Sequence, residues 1–257
     1  MNYQKDKEIE KKRYNSRASK VSNSIKTFSI QSIPKFLRKP YEIYYMRLNQ
    51  YIDKKTSVLE LAAGMGEHTQ TLVNIGAELT VTDISEESLK NIKKVYENKL
   101  ETKVADIENL PFKDKSYHNI ICLESAFHYN PRKDFFDESY RILKDNDSEL
   151  VIADIVLKNK NYGYLQSGFV NFFKELLSVP EDNLIVVDEY VKDLQDSGFE
   201  VRKFNITDKT FKPYFTNFIK NHRFSFAIYN KLIQVICNNL DYVPFEYYIF
   251  KCKKLKK

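Results

Sequence analysis

Between residues 57 and 155, short β-branched apolar runs alternate with longer stretches of helical period, the pattern of βαβ units on a parallel sheet. SVLELA (57 to 62) predicts a first strand, followed by a helix from Glu67 to about Ile75. ELTVTD (78 to 83) predicts the second strand. The helix after it has Ser85 as its cap and Leu89, Ile92, Val95 and Tyr96 as its apolar face. KLETKVAD (99 to 106), YHNIICLE (117 to 124) and ELVIADIV (149 to 156) follow. The last two are nearly continuous apolar runs, as central parallel strands are.

The alternation breaks after Val156, and residues 157–187 read as an irregular aromatic insertion. A helix from Asp188 to Asp196 resumes the pattern, with Gly198 as its stop and FEVRKFNI (199 to 206) as a strand. A second aromatic stretch covers 207–243, and PFEYYIFKCKK closes the chain as a strand. Residues 1–50 form a helical N-terminal segment, with a helix ending near Ile52.

A chain of 257 residues that is 42% hydrophobic buries one sizeable core, so residues 51–257 are expected as one domain with insertions at 157–187 and 207–243. The net charge of +6 is misleading. The first twenty residues carry +4 and the last seven +5, leaving −3 on the body, which argues against a surface that tracks nucleic acid. Cys122, Cys237 and Cys252 show no CxxC spacing, which excludes a disulfide scaffold and a zinc knuckle and suits a reduced cytoplasm. No apolar run reaches the roughly 18 residues of a bilayer span, no signal-like segment opens the chain, and no metal-ligand cluster is visible.

Only six glycines are present, and Gly64 and Gly66 stand together between the first strand and its helix. Glycine permits positive φ and lets a ligand touch bare backbone, while a following helix N-terminus offers N–H groups to negative charge. Two ligand classes use such a turn. The dinucleotide fingerprint G-x-G-x-x-G/A is met only in part, because the sixth position is Thr69. Glu60, at the end of the strand, would repel a pyrophosphate but can hold an amino group or sit near a sulfonium.

VLELAAGMGEHT resembles the first motif of class I S-adenosylmethionine-dependent methyltransferases, with Ala62 in place of the first glycine. That replacement is tolerated where Ala62 keeps negative φ. Asp83, Asp106-Ile107, LPF (110 to 112), LESAFHY (123 to 129) and FFDESYRILK follow in the family's order, so the resemblance covers about residues 57–206. It implies a doubly wound, Rossmann-like α/β fold. The mostly parallel seven-stranded sheet would have the order 3-2-1-4-5-7-6, the last strand antiparallel. LESAFHY and the late insertion look most like the ubiquinone/menaquinone-biosynthesis type and the macrolide-sugar and isoprenoid methyltransferases.

The resemblance implies S-adenosylmethionine as cofactor and a role for each matching residue. Asp83 takes both ribose hydroxyls and Asp106 the adenine amine, with Ile107 as an apolar wall. Ala62, Gly64, Gly66, Ile84 and Leu123 complete the cofactor site with Glu60. Tyr14, in RYNSRA (13 to 18), resembles a leader residue that closes over the methionine end. His128, just past the fourth strand, is the candidate base for a hydroxyl acceptor, whereas His68 and His118 read as structural and His222 as a surface residue. The uncharged, ring-rich segment 161–173, with Tyr162, Tyr164, Phe169, Phe172 and Phe173, and the region 211–229 are expected to roof the site. The expected function is methyl transfer to a small molecule, at oxygen ahead of carbon or nitrogen. RNA or protein methylation, an NAD-dependent oxidoreductase and a non-catalytic binding protein stand as alternatives.

Overall fold

The computed structural model describes residues 57–66, 68–76, 78–145, 147–177, 179–208 and 243–256, with Glu8, Lys11, Lys12, Asn15, Ser16, Ser19, Gln50 and Tyr51. Seven strands form one sheet: β1 (Ser57–Leu61), β2 (Glu78–Asp83), β3 (Glu101–Val104), β4 (Asn119–Leu123), β5 (Glu149–Leu157), β6 (Phe199–Asn205) and β7 (Phe245–Lys254). Their order is β3-β2-β1-β4-β5-β7-β6, with β1 to β5 parallel and β7 antiparallel to both its neighbours. This is the expected doubly wound topology.

The apolar runs of the central strands exist because both sheet faces are covered. Along β4, Ile120 and Cys122 join one core with Leu59, Leu61, Phe135, Phe136, Tyr190 and Phe250. Ile121 and Leu123 join the opposite core with Val58, Val81, Leu72, Leu89 and Ile92. Alternate side chains point to opposite faces, so a strand buried on both sides has no polar positions to spare. The helices are α1 (Thr69–Ile75), α2 (Glu86–Tyr96), α3 (Arg132–Ile142), α4 (Tyr164–Leu177) and α5 (Val187–Asp196). As expected, Ser85 caps α2: its side chain accepts from the Ser88 N–H at 3.2 Å. Glu86 and Glu87 in the first turn and Lys93 and Lys94 in the last complement the helix dipole.

Several expectations change. Residues 157–187 are not irregular, because α4 occupies fourteen of them. Val170 faces inward with Leu157, Val243 and Phe245, and Gly168 is tolerated inside the helix at a cost of about 1 kcal/mol. The first helix opens at Thr69 rather than Glu67, and the third strand is four residues long because it is a largely exposed edge. Most of the second insertion, 209–242, lies outside the described residues, as do the helix ending near Ile52, Tyr14, His222 and Cys237. Among the described residues no helix is long and apolar enough to cross a membrane.

Candidate functional site

The carboxyl ends of β1, β2, β3 and β4 lie side by side, and the candidate residues gather at this edge. The chain leaves β1 through Ala62 at φ 50°, which corrects the expectation of negative φ. A turn this sharp needs a left-handed residue whatever its side chain, and alanine there costs roughly 1–2 kcal/mol. The Ala63 N–H donates to Thr82 O at 3.0 Å, and the Gly66 N–H to Ala63 O at 2.9 Å, which closes the loop on itself.

The two glycines have different jobs. At Gly66 (φ +82°) a Cβ would stand 2.9 Å from Ile92 Cγ1, so this glycine lets α2 approach. At Gly64 (φ +57°) a Cβ would meet nothing within 4 Å among the described residues, so that backbone face is open to a ligand. The helix after the loop begins three residues past Gly66, runs for seven residues, and has no side-chain cap at His68.

Glu60 sits on the sheet face that α1 covers, and its Oε2 accepts from the Thr69 hydroxyl at 2.7 Å. It is 3% exposed. Asp83, 5% exposed, accepts the Gly64 N–H at 2.8 Å on Oδ2 and the Ser85 N–H at 2.7 Å on Oδ1. Burial pushes its pKa up to about 6, with backbone donors from Ser85, Gly64 and Ile84 pulling the other way. Ile84 is half-buried beside it. The Ser85 hydroxyl donates to Asn15 Oδ1 at 2.6 Å, which brings Asn15 onto this corner.

Asp106 is exposed just past β3, where its Oδ1 accepts from the Glu108 N–H at 3.2 Å. Ile107 and Leu123 are buried, on the two opposite cores. Past β4 the chain makes one 3-10 turn, Ala126–His128. His128 is half-buried, with its ring centroid 4.3 Å from that of Phe127. His118 binds Ser57 Oγ through Nδ1 at 2.6 Å, the structural role expected of it. The His68 imidazole is sunk into the fold although the residue keeps some exposed surface, and that desolvation lowers its pKa to about 3. Tyr164 of the expected roof is 93% exposed, whereas Tyr162 is partly buried against Leu157 and Val170. The side chains of Phe169, Phe172 and Phe173, and the region 211–229, lie outside what is described.

Sequence reasoning missed Glu124. It follows β4 at φ 57°, its carboxylate is exposed, and Oε1 accepts from the Tyr247 hydroxyl at 3.0 Å. The signal was present, since it is the fourth acid at a strand's carboxyl end after Glu60, Asp83 and Asp106. Cys122 below is no nucleophile, because burial pushes its thiol up to about 12. Among the described residues no three His, Cys, Asp or Glu side chains gather as a metal site.

Residues 59–148 match the family model of a methyltransferase domain. Over 185 residues the chain is 25% identical to erythromycin 3''-O-methyltransferase of Saccharopolyspora erythraea, covering 63% of this chain and 57% of that enzyme. It is 28% identical over 163 residues to demethylmenaquinone methyltransferase of Thermotoga maritima, covering 56% of this chain and 70% of the other. The chain thus matches little more than half the length of the erythromycin enzyme. A structure of geranyl diphosphate C-methyltransferase from Streptomyces coelicolor A3(2) superposes with a TM-score of 0.69 at 16% identity, over 84% of this chain and 79% of that one. That identity speaks for the fold alone. Residues 59–148 are thus a methyltransferase domain, and the order of the sheet is the one expected of the class I S-adenosylmethionine-dependent methyltransferases that the chain resembles.

Proposed function

We propose that the chain transfers a methyl group from S-adenosylmethionine to a small-molecule acceptor, at a hydroxyl oxygen. The observation that carries this reading is the pairing of the bare backbone face at Gly64 with the Asp83 carboxylate that grips the same residue. The backbone N–H groups of Gly64, Ser85 and Ile84 hold the Asp83 carboxylate in place, and in this reading its remaining acceptor capacity takes the ribose hydroxyls. Glu60 adds negative charge behind the loop, which suits a sulfonium and an ammonium and opposes a pyrophosphate. In this reading Asp106 takes the adenine amine, and Ile84, Ile107, Leu123 and Ala62 wall the ring and ribose. Residues 1–50, with Tyr14, cap the methionine end, and the insertions 157–187 and 207–243 roof the acceptor.

The bound cofactor would supply an electrophilic methyl whose transfer disperses positive charge on sulfur, so alignment and water exclusion do most of the work. The chain's own contribution at the acceptor is His128. A ring nitrogen takes the hydroxyl proton as the new carbon–oxygen bond forms and then releases it to water. A small acceptor, rather than nucleic acid, is supported by the −3 charge of residues 21 to 250. A reduced, cytoplasmic setting belongs to the same reading, and the buried, unpaired Cys122 and Cys252 suit it.

The test is calorimetric titration with S-adenosylhomocysteine and, in parallel, NAD, followed by labelled methyl transfer to a panel of sugars, phenols and prenylated compounds. Binding of the first ligand alone and label on a hydroxylated acceptor are expected. Full turnover by His128→Ala would remove the base and reassign the acceptor to carbon or nitrogen. NAD binding without S-adenosylhomocysteine binding would overturn the reading.

A further inference from the structure

The loop that carries His128 is held by a residue from the insertion between β5 and α5. Asn183 closes that insertion in the short turn Glu181–Asn183 and is 5% exposed. Its side-chain Nδ2 donates to Phe127 O at 3.0 Å and to Tyr129 O at 2.6 Å, the carbonyls of the two residues flanking His128. Its own carbonyl accepts from Arg132 Nη2 at 3.2 Å, and Arg132 Nε donates to Ala126 O at 3.3 Å. Two side chains therefore satisfy the carbonyls of 126, 127 and 129, which a 3-10 turn of three residues leaves largely without helical partners.

The latch is anchored in the core. Arg132 is 4% exposed and lies 4.5 Å over the Tyr190 ring. Tyr190 stacks on Phe250 at 4.3 Å and 3°, and its hydroxyl donates to Asp154 Oδ2 at 2.9 Å. The Arg132 guanidinium also acts on that Asp154 carboxylate. Helix α3, strands β5 and β7 and helix α5 all hold this cluster, so Asn183 is fixed before it reaches the loop. Among the described residues the hydrogen bonds of this cluster run to the loop after β4 and to the core rather than to Gly64 or Asp83, which leaves a positioning role as what the arrangement can do.

We propose that Asn183 is a positioning residue for His128, locking the insertion onto the loop after β4 so that the acceptor-side imidazole is aimed by the insertion. The reading of His128 as the acceptor-side group is taken from the proposed function; the latch itself stands on the hydrogen bonds. Removing it deprives the buried Phe127 carbonyl and the partly buried Tyr129 carbonyl of this donor and lets the 3-10 turn relax, while the Gly64–Asp83 corner is untouched.

The chain has four histidines, so ring-labelled protein gives few signals, and His128→Gln assigns the one of interest. Asn183→Ala and the same-sized Asn183→Asp, which loses both donors, are compared with the unmutated chain by histidine NMR across pH and by titration with S-adenosylhomocysteine. The expected result is a His128 signal that shifts or broadens, with a titration midpoint moved by about 0.5 pH unit or more. His118 should not move, and ligand affinity should stay within about twofold. A merely structural role would lower the melting temperature and leave the His128 midpoint where it was. If Asn183→Ala does not fold, Asn183→Asp decides, since it keeps the volume and leaves the backbone carbonyl that Arg132 binds. A His128 signal and midpoint unchanged in either folded variant overturns the latch. Failure of the unmutated chain to bind S-adenosylhomocysteine sinks the methyltransferase reading and still leaves the histidine comparison to be read.

Discussion

The Gly64 N–H donates to Asp83 Oδ2 at 2.8 Å, so the loop after β1 and the acid after β2 act as one unit. Burial pushes the Asp83 pKa up to about 6. For the cofactor-free fold, the raised value means that stability from this group is fully present below the unfolded carboxyl range and is lost as pH rises through about 6. A ligand donating two hydroxyls wants the ionised form, so binding runs the opposite way. S-adenosylhomocysteine affinity is expected to be full at pH 7.5 and to fall by up to about tenfold per pH unit below about 6. Asp83→Asn should bind weakly and lose this pH dependence. Calorimetric titration at pH 5.0 and 7.5 checks both, and a flat profile for the unmutated chain would mean that Asp83 does not receive the ligand.

Alanine substitution should separate the two glycines. At Gly66 the new Cβ meets Ile92 Cγ1 at 2.9 Å in a left-handed conformation, so Gly66→Ala is expected to cost about 2–4 kcal/mol in urea unfolding. At Gly64 the strain comes without a clash, about 1–2 kcal/mol, but the methyl occupies the face offered to the ligand. Gly64→Ala should therefore lose about tenfold or more in S-adenosylhomocysteine affinity while remaining folded. Equal effects of the two substitutions on binding would contradict this division of labour.

Much of this arrangement can be read from the chain because buried parallel strands must be apolar on both faces. NIICL and ELVIADIV announce themselves for that reason, and the acids Glu60, Asp83 and Asp106 stand out against such runs. Helix α4 is hidden because its segment is ring-rich and short of charge, so no polar face marks its period. Strand β3 is mostly exposed, and residues on both sides of it share its composition. Asn183 and Arg132 could not be found from sequence, since their partners are backbone carbonyls, which carry no residue identity, and Asn183 lies more than fifty residues away from its own. In the sequence Thr69 stands out only as the residue that breaks a dinucleotide motif. Its hydroxyl is what holds Glu60.

That bond gives a third test. Thr69 is fully buried, and Thr69→Val keeps its shape while removing the donor to Glu60 Oε2. Losing a hydrogen bond to a buried carboxylate costs about 1–3 kcal/mol. Thr69→Ser keeps the hydroxyl and should give back most of that loss, which equilibrium unfolding of the two variants compares directly. If valine is as stable as threonine, Glu60 does not depend on this donor, and its place behind the glycine loop needs another explanation.

Ala62 sets two effects against each other. At φ 50° an alanine bears roughly 1–2 kcal/mol of steric strain that glycine does not, which favours Ala62→Gly. Glycine, however, adds about 0.4–1 kcal/mol of backbone entropy to the unfolded chain, and the lost methyl is a partly buried one that packs on the core of Leu59 and Leu61. Relief of strain outweighs both losses, because the methyl is only partly buried and contributes less than a full apolar burial. Ala62→Gly is expected to raise the unfolding free energy by a few tenths to about 1 kcal/mol. A clear loss of stability would mean that the methyl's packing outweighs the turn, and that the position is alanine because the core needs it.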